Sequence, residues 1–157
     1  MSVHNVTWFA TASALGSIET IEAAMKWFTG GKAEISREKV RSYHGVRMTM
    51  LKAQIQKKKA ARQSIANLGS GLLGELARSE DLHERIDEEN NLHVRLKLSS
   101  LVSGSIEFST GKEEQVKGRI KLEVYPGQEP LEIARRMLLE SASMAEEMGF
   151  SGQLDSD

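Results

Sequence analysis

The chain has 157 residues, 39% of them hydrophobic and 27% charged, with no cysteine and a formal net charge of −1. That length suits one core rather than two, and the missing cysteines exclude disulfides and thiolate metal sites. Near-neutrality excludes a uniformly basic nucleic-acid binder, so any recognition of a polyanion requires charges segregated on one surface.

From Val3 to Thr11 the residues alternate, with Val6, Trp8 and Ala10 on one side and Asn5, Thr7, Phe9 and Thr11 on the other. This is the pattern of a half-buried strand. Ser17 is placed to cap a helix carrying Glu19 and Glu22 in its first turns, with Ile18, Ile21, Met25 and Phe28 at helical spacing and Gly30-Gly31 as its stop. A second strand is predicted over Ala33–Val40 and a turn at Tyr43-His44-Gly45. The third strand, Arg47–Ile55, carries Thr49, Leu51, Ala53 and Ile55 on one face and Met48, Met50, Lys52 and Gln54 on the other.

A second helix begins near Lys57, with an apolar stripe of Ala61, Ile65, Leu68, Leu72 and Leu76. Gly69, Gly71 and Gly74 each cost about 1 kcal/mol in a helix interior, which predicts a kink or break. Three alternating stretches follow, Leu92–Leu98, Val102–Phe108 and Val116–Val124, read as an antiparallel meander. Pro126–Pro130 is a loop, and Leu131, Ala134, Leu138, Ala142 and Ala145 mark a last helix. The order β-α-β-β-α-β-β-β-α implies an α+β two-layer sandwich with a mostly antiparallel sheet and helices on one face. One domain is expected over residues 1–150, followed by a frayed acidic tail at 151–157.

The polar side of the Leu92 strand is His93, Arg95 and Lys97, and that of the Val116 strand is Lys117, Arg119 and Lys121. If both apolar sides meet the helices, both trios stand on one exposed surface. Like charges opposed in a sheet destabilise it, a cost that a function could explain. The plainer reading is a solvated face diluted by Glu107 and Glu123. A second concentration, Arg47, Lys52, Lys57, Lys58, Lys59 and Arg62, contains no acidic residue between its ends. Its lysine run opens a helix, where positive charge opposes the macrodipole. Phosphate oxygens would offset that repulsion, although such runs are commonly just solvated.

Asp87-Glu88-Glu89 could bind a cation, but turn chemistry accounts for it before Asn90-Asn91. His4, His44, His83 and His93 lack ligand spacing, and no nucleophile elbow, phosphate loop or dinucleotide fingerprint is present. The expectation is a protein without catalytic centre, metal or cofactor. Met48 and Met50 oppose the expected core, and pairing of two copies would cover them, giving a homodimer. No segment reaches the roughly 18 apolar residues of a membrane span, and the N-terminus lacks the pattern of a secretory signal. The expected location is the cytoplasm.

Several blocks together carry a resemblance: Tyr43-His44-Gly45, then Lys52-Ala53-Gln54-Ile55 with Lys57-Lys58-Lys59 and Arg62, then Arg85 to Leu96, then Val116-Lys117-Gly118-Arg119-Ile120-Lys121 to Tyr125-Pro126. In order and spacing they resemble the archaeal family of RNA-binding, exosome-associated proteins long carried as a domain of unknown function. The resemblance implies a fold like that of the 5S-rRNA-binding ribosomal protein of the large subunit, and a role in RNA binding or processing, with exosome subunits as partners. It carries over Lys57, Lys58, Lys59, Arg62, Arg95, Lys117 and Arg119 as basic positions. Few aromatics face outward, so structured or double-stranded RNA is favoured over a single strand read by stacking. The rival expectation is a dimeric interaction module docking an acidic protein without RNA.

Overall fold

A computed structural model of the chain describes residues 3–13, 18–41, 45 and 47–149. In chain order its elements are β1 (Val3–Ser13), α1 (Ile18–Phe28), β2 (Glu34–Arg41), β3 (Arg47–Ile55), α2 (Lys58–Ala66), α3 (Ser70–Ala77), a 3-10 turn (Leu82–Arg85), β4 (Asn91–Lys97), α4 (Leu98–Val102), β5 (Gln115–Leu122) and α5 (Pro130–Met148). The strands form one antiparallel sheet in the order β2-β3-β1-β5-β4. Helices cover one face of it, the two-layer α+β arrangement that the alternation predicts.

Alternation decides which face is covered. Val6, Trp8 and Ala10 of β1, Leu51, Ala53 and Ile55 of β3, Leu92, Val94 and Leu96 of β4, and Val116, Ile120 and Leu122 of β5 are all buried. Every second residue points the same way, so these side chains form one apolar floor. Onto it α1 sets Ile21, Met25 and Phe28, α2 sets Ala61 and Ile65, and α5 sets Ala134, Met137 and Leu138. Trp8 is the largest side chain in this core. Its ring meets Phe28 edge-to-face, with centroids 5.0 Å apart and planes at 89°. Its six-membered ring also lies on Gly118, directly opposite in the register, where an added Cβ would fall 2.3 Å from Cζ3.

The expected helix break occurs at the first of the three glycines. α2 ends at Ala66 and α3 starts at Ser70, with Gly69 between them at φ 95°, a conformation open to glycine at little cost. α3 then packs along α5, whose Arg135 donates from Nε to the Ala77 carbonyl at 2.9 Å. Pro130 begins α5, where its missing N–H costs no helical hydrogen bond.

The stretch Val102–Phe108 departs from the expected central strand of a meander. β4 pairs directly with β5. Leu98 and Leu101, one helical turn apart, are buried in α4, and Gly104 at φ 91° then reverses the chain. The segment that follows returns to the outer edge of β4, where Lys97 N donates to the Glu107 carbonyl at 2.9 Å and Ser109 N to that of Arg95 at 3.0 Å. A single bridge, Leu96 to Phe108, marks this pairing. Ser17, most of the Tyr43-His44-Gly45 turn and the acidic tail lie outside the described residues. Among the described residues no helix is long and apolar enough to cross a membrane.

Candidate functional site

The face turned away from the helices is organised by the register. One row runs Arg95 on β4, Lys117 on β5, Phe9 on β1, Lys52 on β3 and Ser36 on β2. The neighbouring row runs His93, Arg119, Thr7, Gln54 and Glu34. The two trios, His93-Arg95-Lys97 and Lys117-Arg119-Lys121, thus share one side, with Arg95 directly opposite Lys117 and His93 directly opposite Arg119. Arg95, Lys117 and Arg119 are exposed. Among the described residues none of these three makes an ion pair with a carboxylate. The arginine of β5 leans toward β1, its Cζ 5.7 Å from the centroid of the Phe9 ring. Acidic residues of the same parity, Glu34 and Glu38, stand at the far edge on β2, so the face is most cationic over β4 and β5.

Other members of the predicted set are engaged elsewhere. Lys121 donates from Nζ to the Glu89 carbonyl. His93 Nε2 is 2.7 Å from Asp87 Oδ2. The same carboxylate accepts from the backbone N–H of Glu89 and of Asn91 at 2.9 and 3.0 Å, and from Asn91 Nδ2 at 3.2 Å. This is the turn chemistry expected of Asp87-Glu88-Glu89, with Asn90 at φ 64° completing the reversal. Partial burial raises the Asp87 pKa, but the hydrogen bonds from His93, Asn91 and Glu89 outweigh it and hold the carboxyl well below its usual range. A depressed folded-state pKa stabilises the fold above the unfolded value near 3.8, and that contribution is lost as pH falls through the folded value. Asp87→Asn is therefore expected to lower the urea midpoint at pH 7, with the gap from wild type closing below about pH 4. The side chain is 37% exposed, so the loss is held to about 1 kcal/mol by solvent screening.

The lysine run stands at the start of α2, not on the strands of the open face. Lys57 and Lys59 are exposed. Lys58 is committed: its Nζ donates to both oxygens of the Glu123 carboxylate at 3.1 Å, a group only 9% exposed. The Tyr125 hydroxyl donates to the same carboxylate, and these two partners hold the Glu123 pKa below its usual value. Arg62 is half-buried, and its Nε lacks a hydrogen-bond partner among the described residues. Arg47 has the parity of Thr49 and Leu51, so it projects toward the helix side. There it lines a cavity of about 410 Å³ with Lys39, Arg41 and Ile18. Lys39 and Arg41 escaped the sequence reading because their strand alternates charges of both signs. Among the described residues no three His, Asp or Glu side chains gather as a metal site.

A family model described as RNA binding matches residues 5–124, a span from within β1 to just past β5 that takes in β2 to β5 whole and all but the first two residues of β1. The chain belongs to this RNA-binding family. The matched region includes the whole cationic face, the lysine run and Phe9. Among solved structures, the RNA-binding family member described here is similar to the DUF54 protein of Methanothermobacter thermautotrophicus, with 23% identity and a TM-score of 0.68 over 92% of this chain and 98% of the other. A DUF54 protein of Archaeglobus fulgidus gives 21% identity and a TM-score of 0.68 over 91% and 99%. A UPF0201 protein of Methanococcus jannaschii gives 10% and 0.59 over 85% and 98%. These archaeal relatives support the fold. No curated protein matches the chain.

Proposed function

We propose that this chain is a non-catalytic RNA-binding protein that grips the phosphate backbone of structured RNA with its open sheet face. The observation that carries the reading is the row geometry: Arg95 and Lys117 are directly opposed, Arg119 stands in the next row, and no carboxylate pairs them among the described residues. Directly opposed like charges weaken a sheet, and an RNA backbone relieves that repulsion while its counterions are released. Membership in an RNA-binding family supports the same assignment. His93, Lys97, Lys121 and Lys52 extend the face, and Lys57, Lys59, Arg62 and Arg47 supply cations at its margins.

Titration of a hairpin RNA across salt tests the reading. Affinity is expected to fall linearly on a log–log plot, with a slope of about 0.7–0.9 per phosphate contacted. Absence of binding at low salt would overturn it. Within the same assay Lys58→Ala is expected to leave the slope unchanged while lowering the urea midpoint, because this lysine neutralises Glu123. We place the protein, on the resemblance, as a cytoplasmic accessory of an RNA-processing exosome. Co-purification with exosome subunits from native cells is the expected result, and a complete lack of it counts against that placement. Self-association would use the Met48–Met50 patch, since the β2 edge sets Arg37, Lys39 and Arg41 against their own copies in an antiparallel pairing.

A further inference from the structure

We infer that Phe9 is a stacking platform for one unpaired base of the bound RNA, so that the open face reads a bulge or loop and not a uniform duplex. This rests on the RNA-binding reading above and narrows its ligand. Phe9 sits on the central strand of the sheet, on the side that no helix covers, and it is only partly buried. Across the strands it is flanked by Lys117 on β5 and Lys52 on β3, and Arg119 lies 5.7 Å from its ring centroid. Thr7 and Thr11 are its same-face neighbours along the strand.

A large apolar ring ringed by cations is not completed by the core. What fits it is a flat π-face with negative charge on both sides, which describes a nucleobase between its own phosphates. The two lysines stand on strands either side of β1, about 10 Å apart at the backbone, a span that brackets a single nucleotide. A perfect A-form duplex offers phosphates but keeps its base faces stacked inside, so it satisfies the cations and leaves the ring unused. Phe9 is the outward-facing aromatic of the five strands, so the platform takes one base and not a run of them.

The test uses the full chain and two hairpin RNAs with the same stem. One carries a single bulged adenosine, the other an abasic residue at that position. Wild type is expected to bind the adenosine hairpin roughly five- to a hundredfold more tightly, the range set by stacking of one base on an aromatic ring. Phe9→Leu should bring the ratio close to one with an unaltered salt slope and a cooperative unfolding transition retained, and Phe9→Trp should restore it. Equal binding of the two RNAs by wild type, with a normal salt slope, overturns the stacking platform alone. Failure to bind either RNA overturns the RNA-binding reading with it.

Discussion

Replacing Arg95, Lys117 and Arg119 together by alanine is expected to lower RNA affinity roughly a hundredfold near 0.15 M salt. The figure follows from counterion release: three phosphate contacts at about 0.8 each remove a slope of about 2.4, which between 1 M and 0.15 M amounts to roughly two decades. The log–log salt plot should flatten by the same amount. Stability is expected to move the other way or stay still, because Arg95 and Lys117 face each other directly across β4 and β5 and their removal relieves repulsion of up to about 1 kcal/mol. A variant that loses RNA and keeps or raises its urea midpoint separates a binding face from a structural one. Retention of wild-type affinity and slope by the folded variant would sink the assignment.

The second large effect concerns the core beneath that face. Gly118→Ala is expected to destabilise the protein by about 2–3 kcal/mol, the range for overpacking a well-filled site. The new Cβ would lie 2.3, 2.5 and 2.7 Å from three atoms of the Trp8 six-membered ring. That ring cannot simply swing away, since Phe28 meets it edge-on and Trp8 is only 2% exposed. In a protein of this length the change corresponds to a melting temperature lower by roughly 4–12 °C. Trp8→Leu removes the clashing atoms and leaves a void of its own, so the double variant should cost clearly less than the two single losses added together. Simple additivity in a urea-unfolding cycle would show that Gly118 and Trp8 are not packed as described.

Much of this site was legible in the sequence because strand alternation is strict. Leu92, Val94 and Leu96 fix the direction of His93 and Arg95, and Val116, Ile120 and Leu122 fix that of Lys117 and Arg119, so the shared face followed once both strands used the same floor. The break between α2 and α3 was equally readable, since three glycines in six positions weaken a helix, although only Gly69 sits in the break and α3 accommodates Gly71 and Gly74. The stretch Val102–Phe108 was not. Its period of two is compatible with a strand, but Leu98 and Leu101 bury one helical turn apart, and burial of that pair ends β4 before alternation can continue. Pairings over long sequence separations were beyond reach as well. Nothing local in Lys58 indicates that its partner is Glu123, and only the fold brings a helix start to the residue after β5.

The position of β1 has a consequence for the birth of the protein. The first strand lies at the centre of the sheet, bonded on one side to β3 and on the other to β5, so that Val6 must wait for Ile120. Closing such a distant pairing fixes a long stretch of chain before it is rewarded, which makes folding slow and dependent on synthesis through β5. A nascent chain halted ahead of β5 keeps one edge of β1 unbonded, open to aggregation. It also lacks Lys117, Arg119 and the glycine that receives Trp8. The cationic surface and the closed core are therefore finished in the same late event, and the proposed grip on RNA comes only with a chain that has already folded.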